Sequence, residues 1–421
     1  MNIRFIIAGC LLLQLNPAAA QLEYARNMAK TIMNTYKDSM VVAKFASHLQ
    51  QDNLIKPGQT AEEAQKNRPA NWNYEIGVVL MGFERLAAAT ADSVYNNYSK
   101  HIIDHFITAD GGIRTYAMEE YNSDYIPPGR QLLHLYYATK EEKYRKAAGL
   151  LRQQIAWQPR NKVGGFWHKL KYPSQMWLDG LYMIEPFYAE TAVMNNTAAD
   201  FNDIINQFVW MEKYSRDAKT GLLYHGWDES RLQQWCNPLT GQSPEFWSRS
   251  MGWYLMALAD VLDFIPANHA RRNELVNILN RLSTAIVRFQ DPASGAWWQV
   301  TDKGGKAGNY LESSGTAMFV FGLAKALRKG YISKRYLPAI KKGYAGLIKE
   351  FVEKDANGGY HFMRAVAGAG LGGIPYRSGT YEYYVNEPKR NDDLKAIGPF
   401  IQACIEMDAL LNSNYAPTKK Q

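Results

Sequence analysis

Five short stretches in which glycine leads into aromatic residues recur along this chain and constrain its architecture more than any other feature. "DGGIRTY" around Gly112, "GGFWH" at Gly165, "TGLLYH" at Gly221, "SGAWW" at Gly295 and "GGYHF" at Gly359 lie 53 to 74 residues apart. Each interval holds about one helical hairpin. Between the glycines, apolar residues follow the helical period. In "NWNYEIGVVLMGFERLAAAT", Ile76, Val79, Leu80, Phe83, Leu86 and Ala87 share one face, and "DSVYNNYSKHIIDHF" continues with Tyr95, Tyr98, Ile102 and Phe106. The break at Ala91–Asp92 makes these two helices. The same pairing recurs in "EFWSRSMGWYLMALADVLDFI" with "RRNELVNILNRLSTAIVRF", and in "SSGTAMFVFGLAKALRKGYI" with "RYLPAIKKGYAGLIKEFV". No strand pattern competes beyond short pieces. With the opening pair near Trp72 the count reaches six hairpins. Placed with their glycine-aromatic loops at one end, they form an all-α six-hairpin toroid, an (α/α)6 barrel around a central cleft; an open solenoid is the structural alternative.

Three of the turns share the form D-x-x-x-G, from Asp217 to Gly221, Asp291 to Gly295 and Asp355 to Gly359. The aspartate can bond its own backbone and the glycine can adopt positive φ, so the spacing has a mechanism. No Pro/Ser-rich linker interrupts the pattern, which predicts one catalytic-sized domain over residues 21–415.

The N-terminus, "MNIRFIIAGCLLLQLNPAAA", has one arginine, an apolar core and Ala18-Ala19-Ala20 as a small-residue cleavage site. Residues 1–20 therefore read as a signal peptide, giving an exported protein, periplasmic or secreted. "IAGC" ending at Cys10 offers a competing lipoprotein reading, disfavoured because the apolar run before Cys10 is short. No later segment reaches a membrane-spanning length. Cys236 and Cys404 remain after cleavage, too few for a disulfide framework and wrongly spaced for zinc. The net charge of +8 is spread along the chain. Its densest run, "RKGYISKRYLPAIKKGY", alternates with a helical apolar stripe, so it reads as a solvated face and not as a nucleic-acid surface. The 27 tyrosines and 11 tryptophans exceed what packing requires and suit a cleft that stacks on sugar rings.

Asp179 sits in "YPSQMWLDGLYMIEPFYAE", between a tryptophan and a run of large apolar residues. A carboxyl held against aromatic surface is partly desolvated, which favours its neutral form and makes it a candidate proton donor. The same residues also read as an ordinary helix N-cap. Asp124 precedes the Pro-Pro-Gly that opens a helix in "YNSDYIPPGRQLLHLYY", a loop from which a side chain can enter a cleft or simply form a turn. Glu75 in "WNYEIG" reads as a capping or surface group. His168 and His225 each follow a glycine-aromatic turn, and equivalent positions in a repeat suggest hydrogen-bonding roles in one cleft. Neither H-E-x-x-H nor a Cys/His cluster occurs, so no metal or cofactor is expected. Arg249 and Trp253, four apart, share a helical face, where a guanidinium beside an indole could hold a sugar carboxylate or make an inter-helix ion pair over a core ring. Phosphate-cradling and nucleophile-elbow patterns are absent.

Taken in order, "WNYEIGVVL", "YIPPGRQLLHLYYAT", "GGFWHK", "MWLDGLYMIEPF", "HGWDES", "WSRSMGWYLMAL", "ESSGTAMFVFGLAKALRKGYI" and "NDDLKAIGPFIQA" resemble glycoside hydrolase family 105, the unsaturated rhamnogalacturonyl hydrolases. The resemblance implies an (α/α)6 barrel acting without cofactor on a lyase-generated acidic oligosaccharide. It implies removal of a 4,5-unsaturated uronic acid from the non-reducing end, by hydration of the vinyl ether double bond. On that pattern Asp179 is the proton donor and Asp124 the second acid, with His168, Trp177, His225, Arg249 and Trp253 in the pocket and Trp72 a looser carry-over. The leaving sugar, the source polysaccharide and the oligomeric state stay open. So do two other functions: an inverting hydrolase using Asp124 and Asp179 on a saturated glycan, and a glycan-binding toroid without catalysis.

Overall fold

The computed structural model of the protein describes residues 17–37 and 70–412, which include thirteen α-helices. Six of them, α2 (Tyr74–Thr90), α4 (Gly129–Thr139), α6 (Leu178–Met194), α8 (Ser248–Val261), α10 (Ser313–Arg328) and α13 (Leu394–Asn412), form a closed inner ring in which each packs on the next. Around it lie α1 (Pro17–Thr35), α3 (Val94–Phe106), α5 (Glu142–Trp157), α7 (Asp200–Ser215), α9 (Arg272–Arg288) and α11 (Leu337–Phe351), each backing one inner helix. This is the expected (α/α)6 barrel. A short helix, α12 (Tyr381–Asn386), sits in the last long loop.

Sequence composition separates the two rings. All of α8 is buried, and so is α10 up to Leu327, so these helices are covered on every side. Outer helices bury one stripe only; in α9 it is Leu275, Ile278, Leu279, Leu282 and Ile286. Inner-to-outer turns are as short as residues 140–141. The outer-to-inner connections, residues 107–128, 158–177, 216–247, 289–312 and 352–393, are long and share one end of the barrel. They contain three antiparallel two-stranded ladders: β1 (Gln175–Trp177) with β2 (Gly226–Asp228), β3 (Val352–Lys354) with β4 (Tyr360–Phe362), and β5 (Ala365–Val366) with β6 (Lys389–Arg390).

Two expectations need correction. The hairpin near Trp72 is the one that precedes the Gly112 turn, so it does not add a sixth. The sixth pair joins the chain's two ends, α1 against α13. These helices run antiparallel: Tyr36, just past α1, lies in the field of Glu75 and Asp393 beside the starts of α2 and α13, and burial together with those charges pushes its phenol up to about 12. The turn glycines also divide. Gly221 and Gly295 adopt φ of +76° and +80°, but in the third turn Gly358 and not Gly359 carries the positive φ, while Asp355 accepts the Gly359 N–H at 2.7 Å.

The barrel interior away from the long loops is ionic. Asp260 on α8 is fully buried, and Arg85, Arg130 and Lys325 approach it at 2.8, 2.9 and 2.6 Å. Arg130 also pairs with Glu190 at 2.9 Å, and His134 bridges Glu190 and Glu84 at 2.7 Å each. The leader expected at residues 1–20 falls, up to residue 16, outside the described residues. Among those described, no helix is long and apolar enough to cross a membrane.

Candidate active site

The long loops and the first turns of the inner helices enclose a cavity of about 320 Å³. Asp179 enters it from the second position of α6. That helix starts after Trp177, whose backbone is extended, and no side chain caps it, so Asp179 is not the cap that its spacing allowed. The β1–β2 ladder explains its surroundings. Pairing of Trp177 with Gly226, and the Leu178 N–H donated to the His225 carbonyl at 3.0 Å, bring His225 alongside α6. Nε2 of His225 then lies 3.1 Å from Oδ2 of Asp179, close but off-line for a hydrogen bond, and neither atom has another hydrogen-bond partner among the described residues. A side chain at position 226 would meet Leu371 Cδ1 at 2.6 Å, which accounts for glycine at this crossing.

Asp124 reaches the same cavity from the loop before α4 and is bound by the Lys169 ammonium. His168, the neighbour of Lys169, is buried with Nε2 at 3.9 Å from Asp124 Oδ1 and Nδ1 at 3.1 Å from Ser123 Oγ. Burial, aided by the Lys169 charge, holds its pKa well below the usual imidazole range, so it is a neutral ring. It stacks on Trp177 at 4.5 Å, and Trp177 stacks on Tyr172 at 4.8 Å, forming an aromatic wall.

Arg249 and Trp253 both line the cavity from α8, as their spacing requires. Arg249 is only 1% exposed: Nε donates to Ser314 Oγ at 2.7 Å, Nη2 donates to the Val366 carbonyl, and Glu312 lies 3.7 Å away. Its aromatic neighbour is Trp247 at 5.6 Å, so the guanidinium ties α8 to the start of α10 and to β5 while facing the cavity. Glu312 in turn caps α10 through the N–H groups of Ser314 and Gly315.

Trp72 is misplaced by the sequence reading. It is fully buried, packs edge-on to Phe106 and donates its indole N–H to the Tyr125 carbonyl at 2.8 Å. It supports the loop that carries Asp124, and Tyr74, two residues on, lines the cavity instead. Glu75 is neither a cap nor a surface group. It is buried at the cavity with Lys395 at 2.9 Å, and burial, outweighing the lysine, raises its pKa. Asn73 caps α2. Lys169, Arg377 and Glu387 also line the cavity without having been singled out; Lys169 closes the quoted "GGFWHK", and the other two belong to the last long loop. Among the described residues no three His, Cys, Asp or Glu side chains converge as a metal ion would need.

A ring of six helix pairs around a cavity walled by stacked aromatics and holding two carboxylates suits a carbohydrate-cleaving enzyme. The chain belongs to Glycosyl Hydrolase Family 88, whose profile matches residues 46–411. It is similar at 40% identity to the family 105 glycoside hydrolase of C. acetobutylicum ATCC 824, over 92% of this chain and 99% of that one, with a TM-score of 0.82. It is 27% identical over 290 residues to the unsaturated rhamnogalacturonyl hydrolase YesR of Bacillus subtilis (strain 168), covering 68% of this chain and 77% of that protein. The unsaturated glucuronyl hydrolase of Bacillus sp. GL1 shares the fold at 13% identity, with a TM-score of 0.62 over 93% of this chain and 96% of that one. The protein is thus a glycoside hydrolase of the family 88/105 group.

Proposed function

We propose that this enzyme removes a 4,5-unsaturated uronic acid from the non-reducing end of lyase-generated oligosaccharides by hydrating the ring double bond, with an unsaturated galacturonyl-rhamnose or closely related unit as substrate. The observation that carries the reading is the unequal placing of two carboxylates in one cavity. Asp124 is occupied by Lys169, whereas Asp179 has no lysine or arginine paired with it among the described residues; the His225 imidazole faces it and an aromatic wall lies beside it. A carboxyl without a cationic partner is the one able to deliver a proton. In the proposed reaction the Asp179 proton goes to C4, water adds at C5, and the Asp179 carboxylate takes a proton from that water. The hemiketal so formed opens and releases the leaving sugar. Asp124 with Lys169 holds ring hydroxyls or the water. The first turns of α2, α6 and α8 and the side chain of Arg249 present positive potential to an acidic ring. The likeness to an unsaturated rhamnogalacturonyl hydrolase of Bacillus subtilis supports the choice of substrate.

Export is part of the proposal. Gln21, Ala25, Met28, Ala29 and Ile32 of α1 are buried and follow the proposed cleavage point, so a chain beginning at Gln21 keeps these contacts.

The test is ultraviolet absorbance of the conjugated double bond in a panel of polysaccharide-lyase digests. Loss of absorbance with wild-type enzyme, and a fall of roughly 10²–10⁴-fold with Asp179→Asn, is the expected result. Cleavage of saturated glycans without loss of absorbance would assign ordinary inverting hydrolysis instead, and no turnover of any digest would leave only glycan binding.

A further inference from the structure

Tyr384 lies 159 residues after His225 in the chain, yet its hydroxyl is 2.7 Å from His225 Nδ1. Both side chains are fully buried, and the imidazole is fenced by Trp247 at 4.8 Å and Trp177 at 5.4 Å. Among the described residues the Tyr384 hydroxyl has no other hydrogen-bond partner, which points to the hydroxyl as the donor. If Nδ1 carried the ring proton and donated, the tyrosine's own proton would be buried without an acceptor, which costs its desolvation. The hydroxyl therefore donates and Nδ1 accepts. With Nδ1 accepting, the ring N–H is on Nε2, the nitrogen that faces Asp179 Oδ2.

We propose that Tyr384 is a positioning residue for catalysis: by donating to Nδ1 it locks His225 in the Nε2–H tautomer, aimed at the Asp179 carboxylate. A small turn of the ring brings the 3.1 Å approach into line once substrate fills the cavity, as catalytic hydrogen bonds commonly tighten on binding. The logic matches that of a catalytic triad, in which a third group fixes which imidazole nitrogen carries the proton. The charged and titratable groups around this pair are Asp179, His168, Tyr383, Glu245 and Arg377. Burial, with the Tyr383, Asp179 and Glu245 charges, drives the Tyr384 phenol well above its ordinary value, which keeps it a neutral donor. Tyr384 reaches this point because α12 folds back from the last long loop, where Gln299 Nε2 donates to the Tyr384 carbonyl at 3.1 Å.

This inference rests on Asp179 as the proton donor, and its tests separate the two. Nitrogen-15 NMR of histidine-labelled wild-type enzyme, with His225 assigned by its absence in His225→Asn, should show an unprotonated Nδ1 and a protonated Nε2; the reverse pattern overturns the proposal even if no variant folds. Tyr384→Phe should lower kcat about 10–100-fold with KM within about twofold, a range typical of groups that orient a functional imidazole. Its pH profile of kcat/KM should be displaced by about half a unit or more, because Asp179 and His225 no longer share one fixed proton arrangement. A Tyr384→Phe enzyme that loses stability while its kcat and pH profile stay put reduces the tyrosine to packing. Were Asp179→Asn to retain turnover, the reading of the site itself would fall. An inactive Asp179→Asn beside a normal Tyr384→Phe removes only the present inference.

Discussion

Replacing Asp260 by asparagine keeps the shape of the side chain and deletes the charge on which Arg85, Arg130 and Lys325 converge. Burial by itself would raise the Asp260 pKa, but the Arg85, Lys325 and Arg130 charges outweigh it and hold the carboxyl far below the usual range. In the variant Arg130 still has Glu190 and Lys325 still has Asp263 at 2.6 Å, but among the described residues Arg85 retains only the neutral Gln402, at 2.5 Å. Breaking a buried ion cluster by removing one partner costs about 3–5 kcal/mol. With an unfolding entropy of roughly 2.1 cal/mol/K per residue over a chain of 421 residues, that is a fall in Tm of about 3–6 °C for unfolding as one unit. The pH dependence has a definite sign. A carboxyl whose folded value is depressed contributes stability that is full above its unfolded value, near 3.9, and lost as pH falls toward the folded value. The gap between wild type and Asp260→Asn should thus be constant from about pH 5 to 8 and shrink as pH drops below about 4. Asp260 lies eleven residues beyond Arg249 on α8, about 16 Å along the helix, so kcat/KM of the folded variant should be unchanged. Differential scanning calorimetry across pH, with steady-state kinetics at 25 °C, reads both quantities. A variant melting within about 1 °C of wild type would refute the reasoning.

Arg249→Lys should raise KM and also lower Tm. The ammonium cannot reproduce the bonds to Ser314 and Val366, and hydrogen bonds to charged groups are worth about 1.5–3 kcal/mol each; unaltered stability would mean those contacts do not matter. Trp72→Phe should destabilise by about 1–3 kcal/mol through the lost bond to Tyr125 and a small void, and leave KM alone. Denaturant titration and kinetics on one preparation decide it, and a raised KM with normal stability would return Trp72 to the binding surface.

Helical period and turn chemistry were readable locally, because each needs only residues a few positions apart. Hence the hairpins from α2 to α11, and the placing of Asp124, Asp179 and His168 on loops or first turns at one end, followed from the chain itself. What escaped was decided by distant partners. Glu75 looked like a surface group because its lysine, Lys395, lies 320 residues downstream. Arg249 left two readings open because Ser314 and Val366 are 65 and 117 positions away. Trp72 misled through the motif around it: an aromatic just before "NYEIG" suits a cleft wall, but the turn into α2 hands that place to Tyr74. The three-residue strands that set His225 beside Asp179 are too short to show an alternating pattern at all.

The pairing of α1 with α13 gives the ring a clasp. Every other hairpin is closed by a covalent turn that keeps its two helices at high local concentration, whereas these two are joined only by way of the whole circuit. Opening there is opposed by packing alone, with no covalent turn to hold the pair, and it would not remain a frayed end. Because α13 leans on both α2 and α10, and its Lys395 holds Glu75 at the cavity, release of the clasp loosens two neighbouring sectors together. A protease that clips the first helix, remote in sequence from Asp179, would therefore be expected to silence the enzyme long before it dismantles the barrel.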